Sequence, residues 1–221
     1  MSLNKSNGNM YDFVTDTWNV VKGKCPHNCS YCYMKRHPQK ALRFDKQELK
    51  TNFETGKYIF VGSSCDMWAE IIPPEWITEI LNHCCVYDDN TYLFQTKNPK
   101  RFLEYRDYFP KNTVLGITLE TNRDNKFTGG DSPVNRTLFF NKFDKEGVKL
   151  MITCEPIMDF DLTEMISFIL QVRPNWINIG ADSGNNNLPE PSPEKVRALI
   201  EGLRGAGLTI RKKSNLERLL K

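Results

Sequence analysis

Three cysteines crowd into one eight-residue segment of the chain, Cys25-Pro-His-Asn-Cys29-Ser-Tyr-Cys32. Three thiolates on so short a loop can each bind one iron of a cubane cluster, because the loop curls around a compact object. Iron–sulfur clusters are usually held by four cysteines. A cluster held by three leaves one iron without a protein ligand, and an open metal position is where a substrate or cofactor binds. The spacing therefore predicts a [4Fe-4S] cluster with one open iron.

Two other interpretations of this loop remain open. A structural zinc site would need a fourth ligand, for which His27 or Cys65 could serve. An ordinary redox cluster would use the same three thiolates for electron transfer alone. The total of seven cysteines is odd and their spacing is uneven, whereas a secreted disulfide scaffold is usually shorter and more evenly cross-linked. A metal site in a reducing compartment is therefore favoured.

The composition is that of one globular domain. The chain has 221 residues, of which 39% are hydrophobic and 26% are charged, close to the average of soluble proteins. The formal net charge of +3 is too small to imply nucleic-acid binding. No apolar run approaches the roughly 18 residues of a membrane span, and the polar segment 1–10 lacks the apolar core of a signal peptide. We therefore expect a cytoplasmic protein without membrane contact, with a flexible segment 1–10 and a single domain over 11–221.

Short β-rich runs alternate with amphipathic stretches along most of the chain. The predicted strands are 17–21, 58–61, 91–94, 114–119, 150–153, 176–179 and 208–210, and the predicted helices are 74–85, 100–108, 135–146, 162–172 and 192–205. Asn98-Pro99 and Ser192-Pro193 each suit a helix start, with a capping side chain before a proline. This alternation indicates an α/β fold, a parallel sheet with helical crossovers. A closed eight-stranded barrel typically needs ~250 residues, so we predict a partial, open TIM-like barrel of six or seven strands.

The cysteine loop resembles the signature of the radical SAM superfamily, and Tyr31, the aromatic residue before the third cysteine, also matches it. Other segments extend the resemblance to phage-associated radical SAM proteins of the Gp37/Gp68 type, which have no assigned reaction. This narrower resemblance covers roughly Trp18 to Lys213 and includes 61–68, 95–101, 116–120, 153–156 and 179–184.

The resemblance implies a cofactor and a reaction type. The open iron would chelate the amino and carboxylate groups of S-adenosylmethionine (SAM), and the reduced cluster would cleave SAM into methionine and a 5′-deoxyadenosyl radical. That radical would abstract hydrogen from an unidentified substrate, for which a nucleotide or nucleic acid is one candidate. A flavodoxin-like or ferredoxin-like protein would donate the electron. The alternatives are an iron–sulfur redox or structural protein that does not cleave SAM, and a zinc-loop module that binds nucleic acid.

Polar residues at the ends of the predicted strands are the candidates for binding SAM, because ligands of parallel barrels bind at the carboxyl ends of strands. The second strand ends in Gly62-Ser63-Ser64, where the superfamily usually has a Gly-Gly-Glu-like motif for the methionine amino group. Ser63, Ser64 or Asp66 would replace that contact. The predicted cofactor-binding residues are Tyr31, Gly62, Ser63, Ser64, Lys97, Thr118, Glu120, Arg136 and Glu155.

Two further cysteines, Cys65 and Cys154, lie at strand ends near the expected mouth of the barrel. We consider them as hydrogen donors to a substrate radical, against the simpler interpretation of small buried residues. Basic residues at 97–101 and 211–213 are either a solvated face or contacts to nucleotide phosphate. A small partial barrel would also leave one side open, which a partner chain or a large substrate could close.

Overall fold

The computed structural model describes residues 2–7, 10–143 and 147–221. The strands within them are β1 (Asn4–Lys5), β2 (Asp16–Trp18), β3 (Val21–Lys22), β4 (Arg43–Phe44), β5 (Tyr58–Val61), β6 (Thr91–Thr96), β7 (Thr113–Thr118), β8 (Val148–Cys154), β9 (Trp176–Ile179) and β10 (Ile210–Lys212). The α-helices are α1 (Pro74–Val86), α2 (Lys100–Glu104), α3 (Pro133–Asn141), α4 (Leu162–Val172) and α5 (Pro193–Gly205). Short 3₁₀ turns cover Tyr33–Arg36, Lys46–Lys50, Arg106–Tyr108 and Ser214–Leu219.

The main sheet confirms the predicted parallel architecture. Its strand order is β1-β2-β5-β6-β7-β8-β9-β10, and every neighbouring pair is parallel except β1 with β2. From β5 onward a helix lies between each strand and the next, as parallel connections require. The sheet is open, and seven of its strands run parallel, within the predicted range. Asn4 and Lys5, in the segment predicted to be flexible, form the antiparallel edge strand β1.

Two helices begin at serine caps, and one predicted cap is wrong. The Ser132 and Ser192 hydroxyls accept the backbone N–H groups that open α3 and α5, as the sequence predicts for Ser192-Pro193. Asn98 does not cap α2, because its side-chain amide donates to the carbonyl of Trp68 at 3.0 Å instead.

Two predicted helices end earlier than expected. The predicted helix 100–108 breaks at Tyr105, where φ is −118° and ψ is 19°, values outside the helical range. The ring of Tyr105 there packs against Trp68, with ring centroids 5.8 Å apart. The predicted helix 135–146 is observed as α3, and its positions 144–146 lie outside the described residues.

Each face of the sheet carries its own apolar cluster, because successive strand residues point to opposite faces. In β8, Leu150, Ile152 and Cys154 belong to the large core shared with the helices. Met151 points to the other side, which we call the inner face, and packs in a smaller cluster there with Trp176.

The N-terminal segment 11–14 covers the base of this inner face. Tyr11 and Val14 are buried in the inner cluster. The ring of Phe13 meets Trp176 edge-on at 5.5 Å between ring centroids. The guanidinium of Arg211 lies 4.6 Å from the Trp176 ring, a cation–π distance. The amino-terminal half of the inner face is therefore filled, and polar side chains occupy its carboxyl-terminal half.

The first predicted strand divides into β2 in the main sheet and β3 in a separate hairpin. β3 pairs antiparallel with β4, and the intervening segment 23–42 carries all three clustered cysteines. Gly23 has φ +104°, and a Cβ there would lie 2.3 Å from the carbonyl oxygen of Ala41. A glycine is therefore needed at this point, since any side chain would collide with the returning backbone.

No helix in the described ranges is both long and apolar enough to cross a membrane.

Burial at the centre of the sheet predicts a large difference between two identical substitutions. Leu115 in β7 is fully buried, whereas Leu138 on α3 is 48% exposed. We expect Leu115→Ala to lower the free energy of unfolding by about 2–5 kcal/mol, through lost burial and a cavity. We expect Leu138→Ala to change it by no more than about 0.5 kcal/mol. Urea unfolding of both variants measures the difference, and equal losses would contradict this description of the core.

Candidate metal and cofactor site

The loop that follows β7 holds the cysteine loop in place. Ser30 donates its backbone N–H to the Phe127 carbonyl at 2.8 Å, and Gly129 donates to the His27 carbonyl at 2.7 Å. The Cys29 sulfur lies 3.2 Å from the Thr128 hydroxyl. These contacts join residues about a hundred positions apart in sequence, so the cysteine loop is fixed against the carboxyl edge of the sheet.

Neighbouring thiols change the pKa values of Cys25 and Cys32. All seven cysteines are free of disulfides. A hydrogen bond from the Cys65 thiol lowers the pKa of Cys25 to about 6, against the opposing effect of burial. Burial raises the pKa of Cys32, and the charges of Cys29 and Cys25 raise it further. Because burial and neighbouring thiolates disfavour the thiolate form of Cys32, a bound cationic metal group is what would stabilise it beside the other two.

The donor set fits a cluster in its chemistry. Within the described ranges, no three His, Cys, Asp or Glu side chains converge to hold one metal ion. A cubane places each thiolate on a different iron and so does not need such convergence. Cys25, Cys29 and Cys32 are soft ligands on one supported loop, and such ligands suit iron–sulfur clusters.

A buried carboxylate, Glu120, ties the cysteine loop to the sheet. It is 0% exposed and accepts from Lys97 Nζ at 2.9 Å and from Arg136 Nη1 at 2.6 Å. The phenol of Tyr31, on the cysteine loop, donates to the same carboxylate. The Lys97 ammonium also lies 5.5 Å from the Tyr31 ring centroid. The cysteine loop, β6, β7 and α3 therefore meet at one charged centre.

Electrostatics keep this centre ionised. Burial opposes the charge on Glu120, but Lys97 and Arg136 outweigh it and hold the pKa of the carboxyl well below its usual range. Burial raises the pKa of Tyr31, and the charge of Glu120 raises it further. Tyr31 therefore stays protonated and remains a hydrogen-bond donor.

A second carboxylate, Asp66, anchors the middle of the cysteine loop. Its Oδ2 lies 2.8 Å from Nε2 of His27 and accepts from the hydroxyl of Thr96 at 2.9 Å. The same oxygen accepts the backbone N–H of Lys97 at 3.0 Å. Burial opposes protonation of His27, but the charge of Asp66 outweighs it and raises the pKa of the imidazole. The His27 ring thus has a carboxylate partner next to the cysteines.

The sequence of residues 9–202 matches the profile of a family described as a protein of unknown function, DUF5131. The chain belongs to this family. No curated protein matches the chain by sequence.

Solved structures of two other proteins resemble the DUF5131 chain in fold. A mutant of spore photoproduct lyase superposes with a TM-score of 0.70 and 11% identity, over 96% of this chain and 81% of the lyase chain. A double mutant of that lyase, with bound AdoMet and dinucleoside spore photoproduct, superposes with a TM-score of 0.59 and 12% identity. The match covers 92% of this chain and 65% of the lyase chain. Streptococcus suis SuiB bound to S-adenosylmethionine superposes with a TM-score of 0.59 and 12% identity, over 90% of this chain and 47% of SuiB.

The DUF5131 chain therefore spans just under two thirds of the lyase chain with bound AdoMet and about half of SuiB. At these identities the likeness shows the fold: an open, mostly parallel sheet with helical crossovers.

The predicted SAM-binding residues fall into three places in the DUF5131 structure. Tyr31, Lys97, Glu120 and Arg136 form the charged centre described above. Thr118 lies directly beneath it, where its hydroxyl accepts from Gln95 at 3.0 Å and its carbonyl accepts from Arg136 at 2.8 Å. The Gly62-Ser63-Ser64 segment lies at the end of β5, and Glu155 lies near β10.

Asn19 supports the segment Gly62-Ser63-Ser64. Its side-chain oxygen accepts from the Ser63 hydroxyl at 3.2 Å and from the Ser64 backbone N–H at 2.9 Å. Gly62 has φ +80°, a conformation that glycine adopts readily. Sequence reasoning missed Asn19, because the sequence predicts a strand over 17–21 and so places Asn19 inside it, whereas β2 ends at Trp18 in the structure.

Glu155 forms a separate group with the C-terminal part of the chain. Its carboxylate pairs with Lys213 Nζ at 3.0 Å and accepts from the side-chain amide of Asn215 at 3.0 Å. The Lys213 ammonium lies 4.7 Å from the ring centroid of Tyr11. Sequence reasoning missed Tyr11 and Asn215, because only the folded sheet brings both chain ends to β8.

The two cysteines considered as hydrogen donors have different surroundings. Cys65 lies beside Cys25 and so belongs to the neighbourhood of the predicted metal ligands. Cys154 packs in the large core with Ile152, on the helix side of the sheet. Their role as hydrogen donors stays a prediction.

Both basic clusters noted in the sequence contain side chains with internal partners. Lys97 binds Glu120, and Arg101 donates to the carbonyls of Ala69, Glu70 and Ile72. Lys213 binds Glu155. These three cations serve internal contacts of the fold.

One donor at the charged centre has no partner among the described residues. Arg136 is fully buried, and its Nη2 group makes no hydrogen bond there, although Nη1 and Nε are both used. A buried N–H without a partner is costly. A carboxylate would satisfy it in the geometry that guanidinium groups favour.

Removing the charge of Glu120 should leave its two cationic partners buried without a counter-charge. We expect Glu120→Gln to lower the free energy of unfolding by about 3–5 kcal/mol near neutral pH, because two buried cations lose their counter-charge. The folded pKa of Glu120 is depressed, so its contribution is present above the ordinary glutamate pKa of about 4.3 and is lost as the pH falls below it. The difference in free energy of unfolding between wild type and variant should therefore become smaller as the pH is lowered.

Urea unfolding over a pH series measures this gap. The matched control is Glu201→Gln on the exposed face of α5, which removes the same charge without a buried partner. A gap that widens toward acid pH, or equal effects of the two variants, would contradict the role given to Glu120.

Proposed function

We propose that this protein is a radical SAM enzyme, in which Cys25, Cys29 and Cys32 hold a [4Fe-4S] cluster and SAM binds at its open iron. The observation that carries the proposal is the position of the three-thiol loop. It lies at the carboxyl edge of an open parallel sheet and is fixed there by the contact of Tyr31 with Glu120. Ligands of parallel barrels bind at this edge.

The structural neighbours support the cofactor. Spore photoproduct lyase and SuiB are radical SAM enzymes, and solved structures of them contain bound AdoMet and S-adenosylmethionine. The resemblance to the phage Gp37/Gp68 type gives the same superfamily and stays a prediction from the sequence.

Cluster and SAM together supply a 5′-deoxyadenosyl radical when the cluster is reduced. The chain's own residues would bind and orient SAM. The Nη2 of Arg136, which has no hydrogen-bond partner among the described residues, suits the methionine carboxylate, with Lys97 adding positive charge nearby. The Ser63 and Ser64 segment, supported by Asn19, would replace the usual Gly-Gly-Glu contact to the amino group.

Other residues would complete the site. Thr118 offers a hydroxyl for the ribose or methionine part, and Glu155 offers a carboxylate toward adenine or substrate. Tyr31 would act as a positioning residue, because its phenol holds the cysteine loop on Glu120. Cys65, beside Cys25, is the better placed of the two proposed hydrogen donors. We place the protein in the cytoplasm, where a flavodoxin-like or ferredoxin-like donor would reduce it.

The first test is anaerobic reconstitution with iron and sulfide, followed by addition of SAM and dithionite. We expect a brown protein with about four irons per chain that forms 5′-deoxyadenosine, detected by mass spectrometry. The triple variant Cys25→Ala/Cys29→Ala/Cys32→Ala should bind no cluster and form no product. Cys85→Ala, which removes an exposed thiol from α1, should behave as wild type.

Two outcomes would overturn the proposal. Zinc bound in place of iron would identify a structural metal loop. A well-formed cluster whose EPR spectrum does not change when SAM is added would identify a redox protein without SAM chemistry. A cluster whose spectrum changes with SAM, but that releases little 5′-deoxyadenosine, would support SAM binding at the open iron and a cleavage step that awaits substrate.

A further inference from the structure

Positive charge is concentrated on the segment that carries the cysteines. Residues 24–50 contain seven basic and two acidic residues, whereas the remaining residues contain 23 basic and 25 acidic ones. The seven are Lys24, Lys35, Arg36, Lys40, Arg43, Lys46 and Lys50, and all are exposed. We call this set the basic hairpin surface. The chain's small net charge therefore conceals a strong local excess.

None of these seven cations forms an ion pair with a carboxylate within the described residues. The two acidic residues of the segment, Asp45 and Glu48, both bind Lys22, at 2.8 and 2.7 Å. Lys35 and Arg36 donate to backbone carbonyls, which carry no net charge. The seven positive charges are thus available to a partner.

Five of these charges lie in the hairpin that carries the cysteines, and Lys46 and Lys50 lie in the 3₁₀ turn that follows β4. The backbone N–H of Lys24 bonds the carbonyl of Lys40 at 3.0 Å, so residues far apart in the segment lie next to each other. Arg43 is in β4, and Lys35 and Arg36 are in the 3₁₀ turn Tyr33–Arg36, which begins directly after Cys32. Arg36 also reaches across to the Gly184 carbonyl at 3.1 Å, after β9. The surface therefore extends from the base of the hairpin to the rim of the site.

The partner that fits this surface is a chain of phosphates. Spread, flexible cations on an exposed hairpin match a polyanion better than a small anion, which needs donors converging in a pocket. Tyr33 is 52% exposed in the middle of the surface, and an aromatic face beside a basic track is how proteins bind unpaired bases. We propose that the basic hairpin surface binds single-stranded nucleic acid and presents it to the site formed by the cysteine loop. The binding stands independently, whereas a bound strand acting as substrate rests on the proposed function.

The binding is measured by fluorescence anisotropy with a labelled oligothymidylate of about 20 nucleotides, longer than a typical single-strand site. The test variant is Lys40→Gln/Arg43→Gln/Lys46→Gln, whose side chains make no hydrogen bond or ion pair with the residues that the structure describes. The control is Lys111→Gln/Lys149→Gln/Arg204→Gln, which removes three exposed cations near the amino ends of β7 and β8 and the end of α5. Thermal unfolding by circular dichroism checks that both variants fold.

We expect the test variant to bind about tenfold more weakly than wild type and the control variant to bind as wild type does. For the wild type, the logarithm of the binding constant should fall steeply with the logarithm of salt. The slope should be shallower by about 2 in the test variant if three phosphate contacts are lost. Equal weakening by both variants, or no salt dependence, would overturn the proposal.

Other partners are tested alongside. Tighter binding to a duplex of the same length, or to vesicles of phosphatidylcholine and phosphatidylserine, would overturn the assignment to a single strand. An oligonucleotide containing 5-iodouracil should crosslink, on irradiation, to a peptide that includes Tyr33, and a crosslink confined to other elements would contradict the placement.

The triple cysteine variant separates this proposal from the cluster chemistry. It should keep oligonucleotide binding even where it forms no 5′-deoxyadenosine. If the variant lost oligonucleotide binding as well as the cluster, the basic hairpin surface would not bind by itself. That result would overturn the proposal that binding is independent of the cluster.

Discussion

The buried carboxylate of Glu120 is the interaction on which the site depends. It follows the end of β7 and accepts hydrogen bonds from Lys97, Arg136 and Tyr31. A buried charge without partners is costly, and removing one partner leaves the others uncompensated. These four side chains therefore hold each other in place. Through Tyr31, the same centre sets the position of the cysteine loop.

Asp66 and the loop after β7 add a second level of support. Asp66 binds the His27 ring and the backbone N–H of Lys97, so it joins the cysteine loop to β6. Backbone bonds from Ser30 and Gly129 fix the loop from the other side. A ligand loop with this many contacts is largely preorganised, and preorganisation of the supporting residues is what a metal or cofactor site needs.

The distribution of charge separates two uses of cations in this chain. Lys97, Arg101 and Lys213 have partners within the fold and stabilise the carboxyl edge of the sheet. Lys24, Lys40 and Arg43 have none within the described residues and face solvent. Cations of the first kind contribute to architecture. Those of the second kind create the local field through which a polyanion would be attracted.

Local patterns of neighbouring residues are enough to predict part of this structure. Apolar runs separated by amphipathic stretches predicted the open parallel sheet, because strand and helix periods are properties of neighbouring residues. The cysteine spacing predicted the metal-binding loop, and Ser192-Pro193 predicted a helix start.

Tertiary structure alone decided which partner each polar side chain has. Strand-end and helix-start positions single out Glu120 and Arg136 separately, and nothing in their spacing shows that they pair with Lys97 and Tyr31. Asn98 looked like a helix cap but binds a distant carbonyl, and Lys97 and Arg101 looked like a surface cluster but are buried. The physical reason is that burial and charge pairing depend on contacts between residues far apart in the chain, which form only when the sheet has brought the strand ends together.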